Sequence, residues 1–250
     1  MLVLITGATA GIGKSCAEIF AAQGHHLILC GRRKERLDTI KTELEKKHKV
    51  NIHTLSFDIQ KQTEVQEAIH SLPADLKNID VLINNAGLAA GLSSIQDGKL
   101  EHWEQMIDTN IKGLLYITKH VANLMIPNKR GHIINLGSIA GKEVYANGNV
   151  YCATKHAVDA LNKAMRIDLL THQIKVTAIH PGMVETEFSI VRFDGDEERA
   201  KKVYQGMQPL RPEDIAETIY WAATRPAHVN INELTIMPSV QATATQVIRH

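Results

Sequence analysis

Leu2-Val-Leu-Ile-Thr6-Gly7-Ala8-Thr9-Ala10-Gly11-Ile12-Gly13-Lys14-Ser-Cys-Ala-Glu18 is the stretch whose reading decides the fold. Four apolar residues read as a buried strand, the glycines as a tight turn, and residues 13–23 as a helix. Glycine lets the backbone turn sharply and approach a bound group. A helix N-terminus directly behind it offers free N–H groups and the positive end of a dipole. A glycine-rich turn alone is weak, but one that leaves a strand and opens a helix at the chain start reads as a phosphate-binding unit.

Working outward, the same alternation repeats. Further β-rich runs occupy residues 26–30, 51–57, 80–84, 132–136, 175–180 and 232–237, and stretches of helical periodicity fill 34–47, 64–71, 100–125, 151–170 and 213–224. Pro212 suits the first turn of the last helix. Repeated strand-then-helix units predict an α/β, Rossmann-type doubly wound fold: a seven-stranded parallel sheet flanked by helices, in a single domain over residues 1–250. Nearly all-apolar runs such as Val81-Leu-Ile and Ile133-Ile are expected of strands covered on both faces. The irregular region at 182–208 carries the polar run Asp194-Gly-Asp-Glu-Glu-Arg199 and reads as a surface loop or as a lid, because clefts in such sheets open beyond the C-terminal strand ends.

Composition removes several classes of function. With 28 basic and 27 acidic residues among 250, no concentrated basic surface is called for, and no nucleic-acid partner is expected. The N-terminus lacks the pattern of a signal peptide, and no apolar run is long enough to span a bilayer, so a cytoplasmic protein without membrane association is expected. Cys16, Cys30 and Cys152 follow no metal spacing and read as reduced thiols. The 13 histidines are scattered without a His-Glu-x-x-His pattern, and no metal is expected.

Cofactor type is read at the end of the second strand. An acid there would accept a ribose 2′-hydroxyl, and a basic group would pair with a 2′-phosphate. The chain reads Gly31-Arg32-Arg33-Lys34, and arginine presents a fork suited to phosphate, so NADP is expected rather than NAD.

Tyr151-Cys-Ala-Thr-Lys155 puts a tyrosine and a lysine at i and i+4 on one helical face. A neighbouring ammonium favours the phenolate and would bring the tyrosine toward working pH as a proton carrier. The pair alone would pass for a surface coincidence. It is joined by Ser138, just after the strand at 132–136, by Asn84-Asn-Ala-Gly87 at the end of another strand, and by Asn110 within a helix.

With these motifs the chain resembles the short-chain dehydrogenase/reductase family over nearly its whole length: Thr6-Gly7-x3-Gly11-x-Gly13, Asp58, Asn84-Asn-Ala-Gly87, Asn110, Ser138, Tyr151-x3-Lys155 and Pro181-Gly182. The resemblance implies that Tyr151 is the general acid/base, that Lys155 tunes it and holds the nicotinamide ribose, that Ser138 orients the substrate oxygen, and that Asn110 anchors a relaying water. It implies NADP contacts from Thr6, Gly7, Gly11, Ile12, Gly13, Arg32 and Arg33, and from Asp58 and Ile59 at the adenine. Asn84, Ala86 and Gly87 would run along the ribose and pyrophosphate, and Pro181, Gly182, Val184 and Thr186 would lie at the nicotinamide. A homotetramer is also implied.

Longer stretches, among them Glu185-Thr-Glu-Phe-Ser189 and Pro226-Ala-His-Val-Asn-Ile-Asn232, are similar to the group of NADP-dependent 3-hydroxy acid dehydrogenases. That similarity implies a small carboxylate-bearing substrate such as serine, L-allo-threonine, 3-hydroxyisobutyrate or malonic semialdehyde. A carboxylate wants an arginine or lysine; Arg192 is the first candidate and Lys142 the second. The other readings are a reductase of neutral ketones, aldehydes or sugars on the same machinery, and an inactive binding protein, which the complete tetrad disfavours.

Overall fold

The structure, a computed structural model, describes residues 1–250. Seven parallel strands form one sheet: β1 (Leu2–Thr6), β2 (His26–Gly31), β3 (Ile52–Ser56), β4 (Val81–Asn84), β5 (Gly131–Leu136), β6 (Ile174–Pro181) and β7 (Glu233–Ile236). They lie in the order β3-β2-β1-β4-β5-β6-β7. The chain winds from β1 through β2 to β3, then returns to the other side of β1 to lay down β4. That reversal between β1 and β4 leaves a crevice at their C-terminal ends, where an open α/β sheet binds its ligand.

The apolar strand runs have two faces to cover. Leu4, Ile28, Leu82 and Ile133 pack against α3 (Gln62–His70), α5 (Leu114–Met125) and α6 (Asn149–Asp168). Their neighbours Val3, Ile5, Leu27, Leu29, Ile83 and Ile134 pack on the opposite face, against α1 (Gly11–Ala22), α2 (Lys34–Lys47) and α9 (Pro212–Ala223). Alternate residues of a strand point to opposite faces, so a strand buried on both sides must be apolar throughout.

The structure departs from the expected elements in three places. The helix expected at 100–125 is interrupted: α4 (Leu100–Ile107) passes through a π-helical turn at Asp108–Gly113 before α5 begins. Such turns gather at functional sites, and this one holds Asn110. The helix expected from 151 starts two residues earlier, which puts Tyr151 in its first turn. The region 182–208 is not irregular but contains α7 (Phe188–Arg192) and α8 (Glu197–Tyr204). The exposed polar run serves α8 locally: the carboxylate of Asp196 caps it by accepting from Arg199 N at 2.9 Å. Residues 238–250 fold back on their own chain: Met183 N donates to Gln241 Oε1 at 2.8 Å, and His250 N to Gly206 O at 2.8 Å. No helix is long and apolar enough to cross a membrane.

Candidate active site

A cleft of about 830 Å³ runs along the C-terminal edge of the sheet, from the glycine turn to Tyr151 and the segment 182–204. Its floor at the switch point is built by cross-ties between β1 and β4. The Thr6 hydroxyl accepts from Asn85 N and Ala86 N, both at 3.0 Å, and Asn85 Nδ2 donates to Thr6 O at 2.9 Å and Gly7 O at 3.1 Å. Gly7 adopts φ 65°, and a Cβ on it would meet Asn85 Nδ2 at 2.9 Å and Ala86 Cα at 3.0 Å, so only glycine fits this approach. Helix α1 then opens behind Ala10 with no side-chain cap, leaving its first N–H groups free for a ligand.

Most of the expected cofactor residues line this cleft: Thr6, Gly7, Gly11, Ile12, Arg32, Arg33, Asp58, Ile59, Ala86, Gly87, Pro181, Gly182, Val184 and Thr186. Two do not. Asn84 is buried and turned into the α5 side of the sheet, where its Nδ2 donates to Thr118 Oγ1 at 2.8 Å and Asn135 Oδ1 at 2.9 Å. Strand alternation gives the face toward the turn to Asn85 instead. Gly13 lies behind the turn; a Cβ there would run into the Gly7 carbonyl, so its role is the close seating of α1 on the turn.

The basic end of the cleft is already organised. Arg33 donates through Nε (3.0 Å) and Nη2 (2.6 Å) to Thr9 Oγ1, and its Nη1 pairs with Glu187 at 3.1 Å. Arg36 holds the other Glu187 oxygen at 2.9 Å. Arg32 carries no ion pair and stands exposed at the rim. Neither Thr9, Arg36 nor Glu187 is expected from the sequence, because the contact between Arg33 and Glu187 spans 154 residues.

At the other end Tyr151 is buried against Phe188, with ring centroids 5.6 Å apart. Burial raises its phenol above the ordinary value, the neighbouring Tyr145 adds to that, and the Ser138 hydroxyl as hydrogen-bond partner and the Arg192 charge oppose it. Lys155 does not enter this balance as the sequence suggests. Its ammonium donates to Leu136 O at 2.8 Å, and burial pushes it down to about 8. The protein alone therefore presents a protonated phenol, an acid rather than a base. Ser138 extends into the cleft with its Oγ accepting from Ala140 N at 3.1 Å. Asn110 does not line the cleft: Oδ1 accepts from Leu88 N at 2.9 Å, and Nδ2 donates to Leu88 O at 2.8 Å and Thr154 Oγ1 at 3.0 Å. Its side chain thus locks the loop after β4 to α6.

The two candidates for a substrate carboxylate separate clearly. Lys142 does not line the cleft, and its ammonium is held by Asp159 at 2.9 Å and Glu233 at 2.7 Å. Arg192 lines the cleft. Its guanidinium sits 5.6 Å from the Tyr151 ring centre and 5.7 Å from that of Tyr145, and its Nε donates to Gly91 O at 3.2 Å. Its Nη2 is buried without any partner. A buried guanidinium N–H beside a buried phenol has the chemistry to receive an anionic acceptor.

The family of short chain dehydrogenases matches this chain over residues 1–197. The chain belongs to that family. Among relatives of this short-chain dehydrogenase, the NADP-dependent 3-hydroxy acid dehydrogenase YdfG of Salmonella typhi is 49% identical over 245 residues, covering 98% of this chain and 97% of the relative. Serine 3-dehydrogenase of Agrobacterium fabrum is 42% identical over 242 residues, covering 97% and 95%. Among solved structures, the closed form of a serine dehydrogenase complexed with NADP+ superimposes with a TM-score of 0.93 at 47% identity and covers all of both chains.

Proposed function

We propose that this short-chain dehydrogenase moves a hydride between NADP(H) and the β-carbon of a small 3-hydroxy acid or the corresponding 3-oxo acid, in the class of serine, L-allo-threonine, 3-hydroxyisobutyrate and malonic semialdehyde. The single observation that carries the substrate class is Arg192 Nη2, buried and unpartnered beside Tyr151. A substrate carboxylate there would place a carbon two bonds away within reach of the phenol. The relatives named for 3-hydroxy acids and serine support the same class.

The residues present fit NADP. The Gly7 turn and the uncapped start of α1 suit a pyrophosphate, and Arg32 and Arg33 suit a 2′-phosphate, with the phosphate and Glu187 competing for Arg33. When bound, the nicotinamide supplies or accepts the hydride. The chain's own residues do the rest. Ser138 Oγ holds the substrate oxygen, and Arg192 anchors the carboxylate. Tyr151 donates its phenolic proton to that oxygen in reduction and takes it back in oxidation. Lys155 is within reach of the ribose side of the cleft, and Phe188 and Tyr145 exclude water. The segment 182–208 serves as the lid. The assembly we propose is a cytoplasmic homotetramer. Apolar side chains exposed on α4 and α5, such as Leu100, Ile107 and Leu115, supply surface a partner copy would cover.

A substrate panel tests this reading. With NADP, kcat/KM for a 3-hydroxy acid should exceed that for a neutral alcohol of equal size, and Arg192→Ala should raise KM for the acid alone by roughly tenfold to a hundredfold, the range of a lost charge-assisted hydrogen bond. An unchanged KM for the acid, or a preference for the neutral alcohol, would point to a reductase of neutral carbonyls instead.

A further inference from the structure

Below the cleft floor lies a polar cluster around a buried histidine that none of the steps above uses. His180, on β6, is 0% exposed. Its Nδ1 lies 3.3 Å from the carbonyl oxygen of Ser138, and its Nε2 lies 3.5 Å from Asp159 Oδ1, without a hydrogen-bond partner of its own. Asp159 sits one turn beyond Lys155 on α6. Lys142 binds its Oδ1 at 2.9 Å, Lys163 binds its Oδ2 at 2.7 Å, and Lys142 also reaches Glu233 on β7 at 2.7 Å. The ligand atoms of Asp159, His180 and Glu233 cluster within 4.8 Å, as for a cation, but the Lys142 ammonium already supplies the positive charge between the two carboxylates.

A carbonyl oxygen only accepts, so the nitrogen facing Ser138 must carry the proton. In the neutral ring that leaves Nε2 bare and unpaired in the interior, an arrangement costlier than an apolar side chain of the same size. Burial and the Lys142 charge hold the imidazole below its ordinary value, against the pull of Asp159, the Ser138 carbonyl and Glu233, so the neutral ring prevails at neutral pH. What the imidazole adds over an apolar residue is therefore the Nδ1–H on Ser138. The ring also lies flush on the strand end: a Cβ on Gly137 would run into Nδ1, and Gly137 N donates to Ile179 O at 2.7 Å. The Ser138 carbonyl takes two donors, Gly141 N at 2.8 Å and His180, which fixes the peptide from which Oγ projects.

We propose that His180 is a positioning residue for catalysis, holding Ser138 in place through its backbone carbonyl. The proposal rests on the reading of Ser138 as the group that orients the substrate oxygen. Four proteins test it: Ser138→Ala, His180→Leu, His180→Asn and the double variant Ser138→Ala/His180→Leu, each assayed for kcat and for NADPH Kd. His180→Leu should lower kcat about tenfold with NADPH Kd within about twofold, and His180→Asn, which keeps a donor, should recover most of it. In the Ser138→Ala background His180→Leu should cost less than about twofold, because a residue acting through Ser138 has nothing left to position. Full kcat in His180→Leu, or the same factor lost in both backgrounds, would overturn the proposal. If Ser138→Ala itself keeps full activity, the reading of Ser138 fails and the proposal falls with it; if only the His180 variants are unaffected, the proposal alone fails. Should His180→Leu not fold, the near-isosteric pair His180→Asn and His180→Asp carries the test. The carboxylate facing the Ser138 carbonyl should slow turnover where the amide does not, and equal kcat values would overturn the proposal.

Discussion

Single residues at the two ends of the cleft decide what it accepts. At the basic end, Arg33 is braced by Thr9 and shared with Glu187, while Arg32 is free at the rim. Arg32→Ala and Arg33→Ala should each lower kcat/KM for NADPH by roughly tenfold or more and leave NADH nearly unchanged, because only NADPH brings the phosphate these forks fit. Equal losses with both cofactors would remove the phosphate reading. At the chemical end, burial holds the Tyr151 phenol protonated through neutral pH. Reduction needs that proton present and oxidation needs it absent. Carbonyl reduction should therefore be flat across neutral pH, while hydroxy acid oxidation should climb as pH rises toward the phenol's value. A flat oxidation profile would contradict this.

Elements decide which residues reach the cleft, and here the sequence was legible only in part. Glycine spacing and Tyr-x3-Lys are local patterns, and they fall at the start of α1 and in the first turns of α6. Asn84 and Asn85 have the same chemistry and adjacent positions; strand parity alone sends Asn84 into the interior and Asn85 to the turn. Lys142 looked available because its partners, Asp159 and Glu233, lie 17 and 91 residues away. Tyr145, Thr9 and His180 carry no period or motif that marks them, and the tail after Pro238 showed no pattern that would fold it onto residues 183 and 206. Strands β5 and β6 also share a titrating group. Thr177 donates its hydroxyl to Ile231 O at 2.6 Å, so His132 Nε2, 2.7 Å from Thr177 Oγ1, must be the N–H donor. Burial brings His132 down to about 3. The unfolded chain takes up a proton near pH 6.5 that the folded one refuses, so stability is intact above that pH and falls as pH drops toward 3, by an amount on the order of 3–5 kcal/mol. Urea unfolding between pH 7 and 4 should show a flatter acid limb for His132→Leu than for the natural chain; parallel curves would contradict it.

The whole molecule couples the segment 182–208, its tail and its sheet through one cleft. Tyr204 of α8 donates to Val184 O at 2.8 Å, Glu187 bridges to α2, and Gln241, Ala244 and Thr245 of the tail line the same space. A cofactor filling it should stabilise the fold as a unit. At a concentration of about 100 Kd, NADPH should add about 2.7 kcal/mol, a rise of several degrees in Tm for a chain of this size, and NADH at the same concentration much less. Equal shifts with both cofactors would show that the basic rim contributes nothing to selection.

On the proposed reading the Tyr151 phenol moves the proton in a cleft built independently to hold NADP. Tyr151→Phe removes one hydroxyl from a ring still packed on Phe188, and single-turnover kinetics with NADPH and malonic semialdehyde, beside the NADPH Kd, read the two functions apart. The account predicts an unchanged Kd and a rate lower by roughly a hundredfold to ten-thousandfold. A Tyr151→Phe protein that binds NADPH equally well and keeps most of its turnover would contradict it.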